Sequence, residues 1–390
     1  METLTWLISI KFILECKRKI FCKKYEGLIR SSVLENVRKI LDCWTNLWYT
    51  SYKCKDCGEI KHINFTCKSR FCNSCSKPQS DLRIDKIFSR LPRWIWYHHI
   101  ILTIPEESRD FFKRHRKALS ILPKIASDSV RYFLKNDQKI IPWIIAVIHT
   151  FWSKLNRNPH VHLLITHWWY STKHKTFIKD RFFLPYKAIR IARTKQLIKH
   201  LKIWVKQNLA WEAVRAEISF LDKFYDYKNK EGKPTSWYGF FSQQRLGFES
   251  IITYIWRYIK KPVIAQSRIL DYDWENVIFN FKDKTENNKI KEITCTDIEF
   301  LELLVQHIPN KHAHMIYYSG IFANRIKAKY LKIINALYPS NRCFPRVPQN
   351  FRSRLAMLTD RDPLKCFCGW WMCKYKRFIP WYKPYFYDPP

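Results

Sequence analysis

The chain has 390 residues, and its 70 lysines and arginines against 33 aspartates and glutamates give a formal net charge of +37. A charge of that size exceeds what solubility requires and indicates a polyanionic partner, nucleic acid first and an anionic membrane surface second. Hydrophobic residues make up 47% of the sequence, which excludes a wholly disordered basic tail. No apolar run approaches the ~20 residues of a membrane span, and the first apolar stretch, TWLISIKFIL, has no signal-peptide cleavage site.

Apolar residues at helical spacing predict a helical segment over residues 1–50, followed by a cysteine-rich segment and a basic helix at 80–92. The rest of the chain alternates between β-branched runs, which predict strands, and basic stretches with helical spacing. In chain order these are the strand YHHIILTIP, a helix over 106–137, the strands WIIAVIHTF and HVHLLIT, helices over 186–222 and 249–261, the strand VIFNFKD, a solvated loop KTENNKIKE and a helix over 296–308. Together these elements predict an α+β fold.

Residues 54–75, CKDCGEIKHINFTCKSRFCNSC, contain two C-x-x-C pairs, Cys54 with Cys57 and Cys72 with Cys75, separated by 14 residues. Four thiolates in two such pairs predict a closed tetrahedral zinc site of the structural kind. A closed site leaves no position open for water and is therefore not catalytic. Unpaired cysteines in a hydrophobic core are the alternative.

Other cysteines of the chain are also candidate zinc ligands, so spacing alone does not fix which four bind the ion. Cys43 and Cys67 either replace one of the four predicted ligands or are spare thiols. A second group of cysteines lies in KCFCGWWMCK, near the C-terminus: Cys366, Cys368 and Cys373. The C-x-C spacing is unusual for zinc, so this group is a weaker candidate for a second metal site, with Cys343 as a candidate fourth ligand.

A pair of histidines occurs in the predicted strand NPHVHLL. His160 and His162 are two residues apart, and side chains at that spacing project from the same face of a strand. Two imidazoles on one face can hold a divalent metal together with a third ligand. Structural histidines are the alternative, because most such pairs bind no metal.

A pair of tyrosines occurs in the predicted helix YIWRYIKK. Tyr254 and Tyr258 are four residues apart, so a helix places both phenols on one face. Arg257, Lys260 and Lys261 lie beside them and suit binding of DNA phosphates. Tyrosines at helical spacing also occur in hydrophobic cores, which is the alternative interpretation.

Taken together and in this order, these motifs resemble one family, the two-tyrosine HUH transposases of the rolling-circle type, known as the insertion sequence ninety-one family. The similarity extends over nearly the whole chain. It includes the segments CKSRFCNSC, YHHIILTIP, IHTFWSKLNRNPHVHLLIT, YIWRYIKKPVIAQSRI, FLELLVQHIPNKHAHMIYYSGIFANR and DPLKCFCGWWM.

The resemblance implies roles for the two pairs. His160 and His162 are expected to hold a catalytic Mg²⁺ or Mn²⁺, while Tyr254 and Tyr258 are expected to attack the DNA and form a 5′-phosphotyrosine. His149, on the preceding strand, is the candidate third ligand, with a hydrogen-bonded core histidine as the alternative. His99 matches a histidine of the family and is a further candidate for lining the site.

The resemblance also implies an architecture: an HUH-type antiparallel sheet with flanking helices, preceded by a helical segment and a four-cysteine zinc module. The predicted division is a helical segment 1–50, a zinc-binding module 51–80, a catalytic domain 81–335 and a basic aromatic tail 336–390. The expected partner is single-stranded DNA at transposon ends and target, with structural Zn²⁺ and no membrane. The expected location is the cytoplasm, in association with the nucleoid.

The chain differs from the family in its use of glycine and tryptophan. The chain has 7 glycines and 17 tryptophans, whereas average usage predicts roughly 27 glycines. Tryptophan stands at eight positions where the family has glycine: Trp48, Trp143, Trp152, Trp168, Trp169, Trp256, Trp274 and Trp370. We hypothesise that UGA codons specifying glycine were translated as tryptophan. The alternatives are stacking platforms for single-stranded DNA at Trp168 and Trp169, or additional core aromatics.

Two other functions are compatible with the same motifs. The first is a non-catalytic, zinc-containing nucleic-acid-binding protein. The second is a plasmid or phage rolling-circle replication initiator, which would share the HUH chemistry and differ in the DNA that it recognises.

Overall fold

The computed structural model describes residues 8–43, 49–65, 67–69, 72, 73, 75, 95–104, 106, 108–133, 140–179, 186–223, 239–241, 247, 250, 262–283, 286–337, 362 and 364–378. Helices and antiparallel sheets alternate along these residues, which confirms the predicted α+β class. In the described ranges, no helix is both long enough and apolar enough to cross a bilayer.

The chain forms two compact units. The first consists of Met1–Lys86, Lys260–Ile308 and Arg346–Pro390, and the second of Ile87–Ile259 and Pro309–Pro345. This division differs from the predicted one, because residues 260–308 of the predicted catalytic segment and part of the predicted tail pack with the N-terminal residues.

The described residues of the first unit include the helices α1 (Ile10–Lys24), α2 (Ser31–Leu41) and α7 (Asp297–Val305). Helix α7 begins with a capping box, in which the Thr296 hydroxyl accepts from the Glu299 amide and the Glu299 carboxylate accepts from the Thr296 amide. Helix α1 packs against α7, and Lys17 Nζ lies 3.0 Å from the Asp297 carboxylate at the start of α7. These contacts explain why residues 260–308 belong to the N-terminal unit.

The described residues of the first unit also form two three-stranded sheets. In one, β1 (Tyr49–Cys54) pairs with both β2 (Ile60–Asn64) and β14 (Met372–Phe378). The predicted tail therefore supplies an edge strand to the zinc module. The other sheet has the order β10-β11-β12 and consists of Ile269–Tyr272, Asn276–Asp283 and Lys289–Thr296.

The predicted solvated loop KTENNKIKE is partly wrong, because Lys289 already begins β12. Residues on β12 alternate between exposed and half-buried side chains, and the strand pairs along the full length of β11. A sheet with one face in solvent has this alternation, which the high charge of the segment concealed.

The second unit is built on a five-stranded sheet of order β13-β5-β6-β3-β9. Its strands are β3 (Tyr97–Thr103), β5 (Trp143–Phe151), β6 (Arg157–Thr166), β9 (Gly239–Phe241) and β13 (Ile316–Gly320). The predicted strands YHHIILTIP, WIIAVIHTF and HVHLLIT are thus confirmed and lie side by side. A small second sheet has the order β4-β7-β8 and consists of Ile140–Ile141, Trp168–Ser171 and Thr176–Lys179.

One face of the five-stranded sheet is covered by helices. Helices α3 (Arg109–Arg114), α4 (Leu122–Phe133), α5 (Tyr186–Asn208) and α6 (Trp211–Asp222) belong to this unit, as does α8 (Asn324–Leu337). The predicted helix over 186–222 is interrupted at residues 209–210. Apolar side chains of the sheet and of α4 and α5 form one buried cluster, which includes Ile100, Ala146, Val161, Leu163, Ile125, Leu197 and Leu201.

Candidate metal centres

A cluster of histidines lies on the face of the five-stranded sheet that is opposite the helices. The alternation of side chains along the strands places it there. Because Val161 and Leu163 point into the helix-covered core, His160 and His162 project from the other face. Strand pairing places His149 of β5 directly opposite His160 of β6. The spacing of His160 and His162 predicted that they share a face, and His149 was the candidate third ligand named with the family resemblance.

The three histidines converge. One ring nitrogen from each of His149, His160 and His162 lies within 4.8 Å of the other two. The ring centroids of His149 and His162 are 4.5 Å apart, and those of His160 and His162 are 4.9 Å apart. All three side chains are at least 90% buried, which is unusual for histidines unless they are satisfied by a ligand or a partner.

A hydrogen bond orients the His160 ring. Its Nδ1 lies 2.7 Å from the backbone carbonyl of Asn158, which can only accept, so Nδ1 carries the proton. In a neutral ring the lone pair then belongs to Nε2, the atom through which His160 can bind a metal. A backbone carbonyl commonly fixes the tautomer of metal-binding histidines in this way.

His99 extends the cluster by one residue. Its Nε2 lies 3.1 Å from His162 Nδ1, and the two rings stack with an interplanar angle of 8°. Burial lowers the pKa of His99 to about 4, so the ring is neutral near pH 7. A neutral His99 can accept a hydrogen bond from His162 Nδ1–H, which leaves His162 Nε2 as the ring atom that can bind a metal.

The donor set can hold a divalent metal. Three neutral imidazoles on a rigid sheet suit first-row transition ions, whereas Mg²⁺ prefers oxygen ligands. Of the two ions expected from the sequence, Mn²⁺ therefore matches the described donors better.

The predicted nucleophiles cannot be placed in the same way. Tyr254 and Tyr258, together with the predicted DNA-binding residues Arg257, Lys260 and Lys261, lie outside the described residues. Their roles remain predictions.

Two cysteine clusters replace the single predicted zinc site. The first combines Cys72 and Cys75 with the two cysteines that sequence reasoning left open, Cys43 and Cys67. The Cys43 sulfur lies 3.5 Å from that of Cys72 and 3.5 Å from that of Cys75. All four side chains are buried, and the backbone amide of Cys67 donates to the sulfur of Cys75.

The other predicted pair belongs to the second cluster. Cys54 and Cys57 meet Cys366 and Cys368, and one sulfur from each residue lies within 4.8 Å of the other three. The prediction of one site containing Cys54, Cys57, Cys72 and Cys75 is thus wrong, because the first pair lies at the turn between β1 and β2 and the second pair follows β2. Cys373 is exposed on β14 outside both clusters, and Cys343 lies outside the described residues.

Two protein-family models match segments of the chain that carry these clusters. A family model described as "Putative transposase" matches residues 144–329, which include β5, β6 and their three histidines. A second model, "Transposase zinc-binding domain" of the IS91 type, matches residues 13–104, which include the first cysteine cluster. The chain belongs to the IS91 family of transposases.

Named relatives agree with this assignment. The transposase for insertion sequence element IS801 of Pseudomonas savastanoi pv. phaseolicola is 27% identical over 360 residues, which cover 88% of this chain and 83% of the relative. The transposase y4qJ of Sinorhizobium fredii, described in the same words as the first family model, is 24% identical over 324 residues, or 80% of each chain. No solved structure matches the transposase.

The tryptophans at family glycine positions have different environments in the transposase. Trp274 has a φ of +77° and is 58% exposed, and bulky residues rarely adopt that backbone conformation. Trp143 is buried, and its indole N–H has no hydrogen-bond partner among the described atoms. Trp169 is also buried, and its indole donates to the Thr166 carbonyl, so it cannot serve as a stacking platform for DNA.

Proposed function

We propose that this transposase cleaves and rejoins single-stranded DNA, with His149, His160 and His162 as ligands of a divalent metal and Tyr254 and Tyr258 as nucleophiles. The observation that carries the proposal is the convergence of three buried imidazoles on one face of the central sheet. Catalytic sites concentrate ionisable groups in this way, whereas a folded core gains little from three adjacent histidines.

The sheet supplies the rigidity that such a site needs. The three histidines lie on β5 and β6, the two strands with the most extensive pairing in the second unit. Buried apolar residues fix these strands from the opposite face, and the Asn158 carbonyl fixes the His160 ring. A bound divalent ion would supply Lewis-acid polarisation of the scissile phosphate at this position.

The chemistry of the nucleophile follows from the phosphodiester. The tyrosine oxygen forms a bond to phosphorus, the bond from phosphorus to the 3′ oxygen breaks, and the proton lost by the phenol is balanced by protonation of that oxygen. The products are a 5′-phosphotyrosine and a free 3′-hydroxyl. One phosphate ester replaces another, so rejoining to a new 3′-hydroxyl requires no nucleotide cofactor.

The charge of the chain supports the choice of substrate. A formal charge of +37 favours a polyanion, and each phosphate neutralised by lysine or arginine releases a counterion. The charge does not distinguish single-stranded from duplex DNA. That distinction comes from the chemistry proposed for the tyrosine pair.

The test is metal-dependent cleavage of single-stranded oligonucleotides that tile the DNA flanking the gene. We expect wild-type protein to cleave with Mn²⁺ at lower metal concentration than with Mg²⁺, because the ligands are imidazoles. His162→Ala should reduce cleavage by at least 100-fold, in line with losing a metal ligand, yet keep DNA affinity within about twofold. His174→Ala is the matched control, because His174 is exposed in the turn between β7 and β8.

Two outcomes would contradict the proposal. One is full cleavage by His162→Ala, and the other is full cleavage by the wild type in excess chelator. If no oligonucleotide is cleaved but the protein still binds nucleic acid, the non-catalytic binding protein becomes the better account. Cleavage at a replication origin in place of element ends would favour the replication initiator.

A further inference from the structure

The two cysteine loops of the second cluster share two backbone features, although they lie at distant positions in the chain. In CKDCGE the Cys54 amide donates to the Glu59 carbonyl at 2.8 Å, and in CFCGW the Cys366 amide donates to the Trp370 carbonyl at 2.9 Å. In both loops the acceptor lies two residues beyond the second cysteine. Both loops are therefore closed by a backbone hydrogen bond to the same position after the second cysteine, although one loop is C-x-x-C and the other is C-x-C.

A glycine with positive φ follows the second cysteine of each loop. Gly58 has a φ of +75° and Gly369 a φ of +93°. Glycine adopts this conformation without the steric cost that a Cβ would add. A glycine with positive φ thus closes both loops. The unusual C-x-C spacing of the second loop is compatible with this turn.

Strand pairing brings the two loops to one end of a sheet. The first loop follows β1, the second precedes β14, and Cys54 at the end of β1 is paired with Met372 at the start of β14. The Cys54 and Cys368 sulfurs are 3.6 Å apart, and those of Cys57 and Cys366 are 3.5 Å apart.

These distances are those of metal ligands. Four thiolates at about 2.3 Å from a tetrahedral zinc ion are roughly 3.8 Å from one another. A disulfide requires a separation of about 2.0 Å. Each loop contributes one buried cysteine and one exposed cysteine, so the cluster is at the edge of the sheet, where an ion can enter.

Few apolar side chains among the described residues of this sheet are buried. Its hydrophobic cluster consists of Cys54, Cys366 and Met372, with Tyr52 partly buried against them. The side chains of β14 beyond Met372 are exposed from Cys373 to Arg377. A three-stranded sheet with so little buried apolar surface is marginally stable by itself, and small domains of this kind commonly depend on a structural metal.

We propose that Cys54, Cys57, Cys366 and Cys368 bind a second zinc ion, which joins the N-terminal and C-terminal segments of the chain into one zinc ribbon. The family model for the zinc-binding domain ends at residue 104 and does not include Cys366 or Cys368. The ribbon requires both segments, so β14 is part of the zinc module. The proposal is independent of the cleavage chemistry.

The test is the zinc content of the full-length protein, purified with reductant and measured by mass spectrometry of the metal and of the intact protein. Wild type should carry two zinc ions per chain at its cysteine clusters, and Cys366→Ser should carry one; zinc held by the histidine centre would add equally to both counts. Cys373→Ser is the matched control, because this cysteine is seven residues further on and outside both clusters, and it should keep two. Cys72→Ser should remove the other ion and leave the ribbon site loaded.

A variant that keeps a ligand distinguishes loss of the site from loss of the fold. Cys368→His should retain two metal ions, and in the Co²⁺-loaded protein its thiolate-to-cobalt absorption should fall by about one eighth, because seven of eight thiolates remain. One zinc ion in wild type, two in Cys366→Ser, or a disulfide within the cluster would overturn the proposal. If Cys366→Ser lost both ions, an unchanged cobalt spectrum in Cys368→His would overturn it, and the reduced absorption would support it.

Discussion

At the scale of single residues, Trp274 has a side chain that suits its backbone conformation poorly. Trp274 lies in the turn between β10 and β11, where the Asp273 carboxylate accepts from the backbone amides of Glu275 and Asn276. Its positive φ places the Cβ against the following carbonyl. Lys68, next to Cys67, and several asparagine and lysine residues in turns share this conformation, but Trp274 is the bulkiest.

Glycine should fit position 274 better than alanine. Both substitutions remove the indole and its contacts with Phe12 and Tyr272. The difference in stability between the two variants therefore measures the cost of a Cβ at this positive φ. We expect Trp274→Gly to be more stable than Trp274→Ala by about 1 kcal/mol, measured by denaturant unfolding. Equal stability, or a more stable alanine variant, would remove the structural support for glycine at this position. A UGG codon at position 274 would exclude translation of a UGA codon directly.

At the scale of elements, one ion pair links two helices of the second unit. Arg114 at the end of α3 donates two hydrogen bonds, of 2.9 and 3.0 Å, to the Glu217 carboxylate on α6. Burial, the largest single effect, would raise the pKa of Glu217, but the hydrogen bonds and charges of Arg114 and His115 together outweigh it and hold the pKa below its ordinary value. Bidentate pairs of this kind stabilise more than single surface contacts.

Glu217→Gln should therefore destabilise the second unit at neutral pH. We expect a loss of about 1–2 kcal/mol at pH 7, measured by denaturant unfolding. A carboxylate with a lowered folded-state pKa stabilises above its unfolded pKa, and that contribution disappears as pH falls through the folded-state pKa. The difference between variant and wild type should thus shrink below about pH 4. Glu106→Gln is the control, because its pair with Arg109 is exposed and should change stability by less than about 0.5 kcal/mol.

If Glu217→Gln were as stable as the wild type at pH 7, or if its deficit persisted at pH 3, the Arg114 contact would not link the two helices as described.

Local pattern was sufficient to predict the elements that carry the histidines. The β-branched runs of β5 and β6 predict strands, and the two-residue period then places His160 and His162 on one face. The cysteine pairing could not be predicted in the same way. Spacing identifies Cys54 and Cys57 as a metal-binding loop, but their partners are 309 and 314 residues further along the chain. Only the pairing of β1 with β14 brings these residues together.

Within the whole molecule, the cysteine clusters belong to the first unit and the histidine cluster to the second. Substituting a cysteine should therefore affect folding of the zinc module, and substituting a histidine should affect cleavage, with little overlap between the two effects. The high positive charge is spread over the sequence and is expected to dominate DNA affinity in both sets of variants.

The central claim is that a tyrosine of the pair Tyr254 and Tyr258 becomes covalently attached to a 5′ phosphate of DNA when the histidine centre is intact. The most direct measurement is peptide mapping of the covalent adduct formed with a single-stranded substrate in Mn²⁺. We expect adducts on Tyr254 or Tyr258, a weaker adduct with either single phenylalanine variant, and none with the double variant or with His162→Ala. An adduct on another residue, such as Tyr317 or Tyr318 of β13, or cleavage by the double variant, would contradict the account.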